Sequence, residues 1–364
     1  MNKVRIGIIG IGDISGIYLK NITELYKELE LYAVCDLIKE KALKAKDANP
    51  DVIIYDTMDE VFADENVDIV LNLTRPYEHY GVSKAALLAG KHVYSEKPLA
   101  ATLEEGKELV AIAKEKNLLL GGAPDTFMGA GIQTCRKLID DGFIGTPIGA
   151  ATFMICHGHE SWHPDPAFYY KHGGGPMMDM GPYYITALVN LLGRISSTMS
   201  VAKANFKTRT ITSAPHFGET VDVEVPTHVN GILNFESGAV GTIFTTFDVY
   251  SDSQARFEIY GTEGTLIVPD PNCFDGSIKL LKPQDGTYKE IPLCFNYSQN
   301  SRALGLADMA KALQTNRPFR ANCEQTFHVL EVMQSLQKGG TTTIESPFNR
   351  KAPMVANGIT GVLD

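Results

Sequence analysis

Two glycines in the run Arg5-Ile6-Gly7-Ile8-Ile9-Gly10-Ile11-Gly12-Asp13-Ile14-Ser15 have a spacing that could do chemistry. They fall where an apolar strand pattern gives way to a helical one. A glycine at the first position permits a tight turn. One at the second lets bare backbone approach a pyrophosphate held at the N-terminus of the next helix. Asp13 and Ile14 lie in the same turn and complete the expected cradle. Ser15 takes the third position of the pattern, where Gly or Ala usually lets helix and strand pack closely; it is small, but a departure. Asp36 ends the second strand pattern, where a carboxylate would meet a ribose diol. Leu37 and Ile38 follow it, so NAD is favoured over NADP, although Lys39 could reach a phosphate. Asp36 also reads as a plain turn residue.

A second chemical cluster is His157-Gly158-His159-Glu160-Ser161-Trp162-His163-Pro164-Asp165, which holds the only tryptophan of the chain. Sugars need several fixed donors and acceptors together with an apolar face. His159, Trp162 and His163 are the candidates here, with Asp125 at the end of the sixth strand pattern. Three histidines two and four residues apart could instead converge on a divalent metal. Nothing else has zinc-site spacing, and no metal is expected.

The elements that must position these residues are legible. Strand patterns near Val4–Ile9, Leu31–Cys35, Val52–Tyr55, Val67–Leu73, His92–Ser95 and Leu118–Leu120 alternate with helical ones near Ile14–Leu29, Lys39–Ala48, Tyr80–Ala89 and Leu103–Lys116. Thr102 and Glu105 have capping-box spacing. Alternation of this kind implies an α/β unit with a doubly wound parallel sheet, whose ligands bind outside the carboxyl ends of the strands. Those ends carry Gly10, Asp36, Asn72 to Pro76 and Ser95 to Pro98. Beyond Gly122 the texture changes. Helical stretches at Ile132–Asp140 and Tyr183–Leu192 precede strand patterns at Gly231–Phe235, Val240–Phe247, the alternating Ala255, Phe257 and Ile259, and Thr265–Val268. Two helices, Leu304–Gln314 and Glu324–Gln337, close the chain. The expected organisation is a dinucleotide-binding domain over 1–122 and, over 123–364, an α+β domain with a large, mostly antiparallel sheet for substrate and oligomer contacts.

At 364 residues two domains are the default expectation. The net charge of −10 argues against nucleic acid or an anionic membrane as partner. Six scattered cysteines without a C-x-x-C pair read as reduced thiols. With no room for a signal peptide and no apolar run of membrane-spanning length, a cytoplasmic location is expected.

The Gly-rich turn, Glu96-Lys97-Pro98, and Gly173-Gly174-Gly175 leading to Asp179-Met180-Gly181-Pro182-Tyr183 together resemble the glucose–fructose oxidoreductase / inositol dehydrogenase (Gfo/Idh/MocA) family. Thr74-Arg75-Pro76 with His79 approximates the family's T-P-N-x-x-H stretch. The resemblance runs over essentially the whole chain and implies an N-terminal Rossmann domain. It makes Thr74, Arg75, His79, Glu96 and Lys97 cofactor-contacting positions and Lys97 a catalytic lysine. Pro98 would follow a peptide bond that is often cis. Tyr183 stands where many relatives carry a proton-transferring His, and an ammonium would favour its phenolate. Asp179, four residues earlier, would orient the phenol or accept a substrate hydroxyl; Thr186 replaces a later family Asp. Tyr184 should point into packing. Read from the residues alone, Lys97 is equally a solvated lysine, and Tyr183 a helix tyrosine bonded in the core.

The function implied is NAD(H)-dependent hydride transfer at a secondary hydroxyl or keto carbon of a sugar or polyol. An NAD-assisted glycosidase and a non-catalytic NAD-binding sugar sensor are the alternatives. Relatives tend to form dimers or tetramers through an exposed sheet face, here expected to carry Ile243, Phe247, Phe257 or their neighbours.

Overall fold

The computed structural model describes residues 3–251 and 256–355. The first unit is built on six strands, β1 (Val4–Ile9), β2 (Leu29–Cys35), β3 (Ile53–Tyr55), β4 (Ile69–Asn72), β5 (His92–Ser95) and β6 (Leu120–Gly122). They pair in the order β3-β2-β1-β4-β5-β6, every pair parallel. This is the doubly wound Rossmann order, with its topological switch between β1 and β4. All four residues of β4 are buried, as the apolar run predicts for a parallel strand covered on both faces. Its helices are α1 (Ser15–Glu24), α2 (Lys39–Leu43), α3 (Met58–Ala63), α4 (His79–Leu88) and α5 (Leu103–Glu115).

The Thr102–Glu105 capping box is present at the start of α5. A second one, Thr57–Glu60, opens α3, which the sequence reading passed over. Six residues are too few to show helical periodicity, so the box was the available signal. The first helix is shorter than its pattern. Leu29 belongs to β2, where it pairs with Val4, because burial in the sheet outweighs helical continuation.

The second unit contains α6 (Ala130–Asp140), β7 (Pro147–Ile155), α7 (Pro176–Asp179), α8 (Gly181–Leu192), β8 (Ile195–Lys203), β9 (Thr208–Thr210), β10 (Thr220–Asp222), β11 (His228–Phe235), β12 (Val240–Thr246), β13 (Arg256–Gly261), β14 (Gly264–Ile267), β15 (Ile278–Leu281) and β16 (Lys289–Ile291). After α9 (Leu304–Thr315) and α10 (Cys323–Lys338), β17 (Gly340–Thr343) completes a nine-stranded sheet in the order β16-β15-β14-β13-β7-β12-β11-β8-β17. Within this sheet, among the described residues, only β7 and β12 pair in parallel. Strands β9 and β10 form a separate antiparallel pair. The expected hairpins close at Gly261–Gly264 and between β11 and β12. Ala255, part of the alternating run, lies outside the described residues.

One face of the large sheet is covered. Tyr184 of α8 stacks on Phe257 at 6.1 Å, and Thr198 and Ser200 of β8 hydrogen-bond Ser335 and the Leu336 carbonyl of α10. The sequence expectation for the open face is therefore corrected: Ile243, Phe247 and Phe257 are buried. The residues left exposed are Met199, Val201, Ile232 and Val240, with Ile232 set opposite Met199 and Thr242. Period-two alternation separates two faces; it cannot say which one a helix will cover.

The compact units are not cut at a single point of the chain. The first compact unit runs to Gly129 and takes back Phe295–Phe327, while the second comprises Ala130–Cys294 and His328–Pro353. The returning segment is held by polar contacts. Asn21 donates to the carbonyls of Asn300 and Arg302 at 2.8 Å each, and Tyr26 donates to that of Ser301. No local pattern in the sequence announces such a return.

Gly305 in the first turn of α9 shows how tight this packing is. A Cβ there would fall on the Tyr94 hydroxyl, 2.9 Å from its Cζ and 3.1 Å from Asp125 Cβ. Gly81 in α4 faces open space. Gly81→Ala should stabilise the fold by about 0.5–1 kcal/mol. Gly305→Ala should destabilise it by about 1–3 kcal/mol through overpacking. Denaturant midpoints of the two variants check the opposite signs.

Candidate active site

Gly10 follows β1 with φ +93, and a Cβ on it would sit 3.0 Å from the Leu73 backbone. Only glycine fits that approach. Gly12 is the opposite case, since a Cβ there would meet nothing within 4 Å. The loop thus offers bare backbone to open space at the start of α1, whose first turn carries no acidic residue. Ser15 Oγ donates to the Gly12 carbonyl at 2.7 Å and closes the turn, so the departure from Gly or Ala has a local use. Asp36 Oδ2 accepts from Ile11 N at 2.6 Å and Oδ1 from Ile38 N at 2.8 Å. Each carboxylate oxygen keeps a lone pair for a diol. Lys39 pairs with Asp56 at 2.6 Å, which holds its ammonium above its ordinary pKa and occupies the cation nearest in sequence to Asp36. These residues fit a dinucleotide with unphosphorylated ribose.

The exit loops of β4 and β5 form the neighbouring edge. Thr74 Oγ1 donates to Asn72 Oδ1 at 2.6 Å, and Arg75 is exposed. Glu96 turns inward, accepting from Tyr18 OH at 2.8 Å and from Lys97 N at 3.0 Å. The Lys97–Pro98 peptide bond is cis. His79 is 1% exposed, with Nδ1 2.7 Å from the Pro98 carbonyl and Nε2 3.0 Å from that of Thr74. It fastens two loops together and presents no ring edge to a ligand, so its reading as a cofactor contact is corrected. Burial lowers its pKa, opposed by the Pro98 and Thr74 carbonyls and by Glu96.

Asp125 is also corrected. It is 1% exposed and accepts from Gly305 N at 3.1 Å, capping the first turn of α9. Its place after the sixth strand suggested a hydroxyl contact; the returning segment supplies its partner instead. Burial pushes its carboxyl up to about 6, resisted by the Gly305 amide and Arg302 and reinforced by Glu96.

In the second unit, α7 ends at Asp179 and α8 begins at Gly181, with Met180 between them. Tyr183 is buried in the first turn of α8. Tyr184 packs against Phe257 as expected. His159 Nε2 lies 3.4 Å from Asp179 Oδ2, and its ring is set among Tyr169, Phe247 and Trp162 at 4.2, 4.7 and 5.2 Å. Trp162 is 62% exposed, leaving an indole face available. His163 Nδ1 accepts from Asp165 N at 3.0 Å, and His157 stacks on Tyr250 at 3.5 Å. His159 and His163 hydrogen-bond different residues, Asp179 and Asp165, and among the described residues no group of three His, Cys, Asp or Glu has metal-holding geometry. The sequence reading missed Arg209 and Asp248, which with Glu160 form a buried ion cluster beneath this segment. Two isolated charges far from that segment in sequence gave no signal.

Residues 4–122 match the model described as "Oxidoreductase family, NAD-binding Rossmann fold", and residues 132–267 match the GFO/IDH/MocA C-terminal domain. The chain belongs to the Gfo/Idh/MocA family. Its first unit is the family's NAD-binding Rossmann domain. Among Gfo/Idh/MocA relatives it is 28% identical over 227 residues to the D-xylose dehydrogenase of Paenarthrobacter nicotinovorans, covering 59% of this chain and 58% of that protein. The match thus spans less than two thirds of that relative's length. Identity to the myo-inositol 2-dehydrogenase of Thermotoga maritima is 24% over 263 residues, covering 72% and 74%. A levoglucosan dehydrogenase solved with NADH and L-sorbose shares the fold, with a TM-score of 0.79 at 18% identity over 94% of this chain and 99% of that one.

The raised Asp125 pKa has a sign that can be checked. The folded state disfavours the carboxylate, so stability is fully present below the unfolded value and is lost as pH rises toward about 6. Asp125→Asn is neutral throughout and escapes this loss. Between pH 4 and pH 7.5 its stability relative to wild type should shift in its favour by about 2–3 kcal/mol, read from denaturant midpoints at the two pH values.

Proposed function

We propose that this chain is an NAD(H)-dependent oxidoreductase that moves hydride to or from a secondary hydroxyl or keto carbon of a sugar or polyol. The observation that carries this reading is the bare backbone of Gly10 to Gly12 beside Asp36, whose two oxygens are oriented by backbone amides. The names of the relatives, dehydrogenases of xylose and inositol, support the substrate class.

When bound, NAD supplies a nicotinamide ring that accepts or returns hydride. The remaining work belongs to the chain. The Gly12 loop and the N-terminus of α1, including the Asp13 and Ile14 backbone, hold the pyrophosphate. Asp36 accepts the ribose hydroxyls, and Thr74, Arg75 and Lys97 line the exit-loop edge. In oxidation the substrate O–H proton passes to the Tyr183 phenolate as the C–H bond gives up hydride and the carbonyl forms. Lys97, at the exit of β5, is the second group proposed to assist proton transfer. Asp179, with His159 against it, accepts a second hydroxyl, and Trp162 and His163 offer the apolar face and further donors.

A panel of sugars, polyols and keto-sugars with NAD(H) and NADP(H), followed by nicotinamide absorbance, should show turnover with NAD(H) in preference. Lys97→Ala and Tyr183→Phe should each lower kcat by about 100-fold or more while leaving NAD affinity within about threefold. Normal turnover in Lys97→Ala would overturn the mechanism. Release of free sugar without net cofactor change would indicate the glycosidase, and tight NAD binding with no turnover the sensor.

We further infer a homo-oligomer, because Met199, Val201 and Ile232 would otherwise leave an apolar sheet face in water. Ile232→Glu should shift the mass in sedimentation toward the monomer; an unchanged mass would place the interface elsewhere. The six cysteines are all free, which suits a reducing cytoplasmic compartment. Among the described residues no helix is long and apolar enough to cross a membrane.

A further inference from the structure

Arg209, on the small strand β9, is 5% exposed. Its Nε donates to Glu160, Nη1 to the Phe247 carbonyl and to Asp248 Oδ1 at 3.1 Å each, and Nη2 to the His157 carbonyl at 2.6 Å. The guanidinium also lies over the rings of Phe206 and Tyr170, at 5.1 and 5.5 Å. Both carboxylates are buried, and Asp248 is fixed further by Asn205 Nδ2 and Thr227 Oγ1 at 2.8 Å each. The loop is pressed onto this group. A Cβ on Gly158, whose φ is +84, would come within 2.9 Å of Arg209 Nη2.

Buried ion clusters contribute little net stability, because desolvation offsets the attraction, yet their bonds fix geometry in several directions at once. What this one fixes is specific. It holds His157 and Glu160 on either side of His159, and also the backbone of Phe247, whose ring packs on the His159 imidazole at 4.7 Å. His159 is thus located by one guanidinium from both directions.

We propose that Arg209, clasped by Glu160 and Asp248, is the positioning residue that fixes the His157–Trp162 wall and so sets which hydroxylated substrate is accepted. The proposal rests on the reading that this wall meets the substrate. Lysine keeps the charge but loses the fork, and one ammonium cannot reach two carboxylates and two carbonyls together.

Trp162, the chain's only tryptophan, reports on the wall directly. In folded Arg209→Lys, the fluorescence anisotropy of Trp162 should fall by about a third as the loop loosens. For the best substrate of the panel, KM should rise about tenfold with kcat within about threefold and NAD affinity unchanged. Should Arg209→Lys fail to fold, Glu160→Gln, which keeps the shape and removes one charge, carries the same two readouts. Wild-type anisotropy in a folded variant overturns the clasp. Changed anisotropy with unchanged KM overturns its role in specificity. If the wild-type protein turns over no sugar, the oxidoreductase reading fails on its own, and the Trp162 measurement still decides whether Arg209 fixes the wall.

Discussion

In the first unit the backbone hydrogen bonds of the parallel sheet continue past the strand ends. Gly10 N donates to Cys35 O, Leu73 N to Ile9 O, Glu96 N to Asn72 O and Ala123 N to Ser95 O, all at 2.8–2.9 Å. Each exit loop is registered on the last carbonyl of the strand beside it before it turns away. The loops that carry Gly12, Thr74 and Lys97 are therefore held in one row at one edge of the sheet, as β-pairing dictates, and their side chains start from fixed points. Gly10 is where the row is tightest. Its positive φ and its 3.0 Å approach to Leu73 leave room for no side chain.

Polar groups buried behind this row give it rigidity. Asn72 accepts from Thr74 and donates to Ser83 and to the His79 carbonyl, while the His79 ring reaches the Thr74 and Pro98 carbonyls. Glu96 links Tyr18 of α1 to the amide of Lys97. Residues that resemble ligand contacts in a motif thus act one step behind the surface. They satisfy loop backbone that would otherwise be buried without partners. The second unit solves the same problem with charge, since Arg209 takes up the His157 and Phe247 carbonyls just past the ends of β7 and β12.

Much of this was legible in the sequence. The strands of the first unit, the α5 capping box and the Gly10–Gly12 turn follow from short-range rules: apolar runs must be covered, caps must satisfy amides, and only glycine tolerates the turn. Tyr184 pointing into packing followed from helical periodicity alone. The Gfo/Idh/MocA resemblance rested on motifs made of such local devices, which is why it survives at low identity.

What the sequence could not contain is which distant segment completes a local one. Asp125 looked like a ligand at a strand end until the returning Gly305 amide occupied it, and His79 until two carbonyls enclosed it. Ile243 and Phe257 alternate correctly, yet their burial depends on where α8 and α10 come to lie. Local sterics and periodicity act within a few residues and are written in order along the chain. Partnership between buried polar groups is settled only when chain closure brings them within hydrogen-bonding distance, and that closure is a property of the tertiary structure.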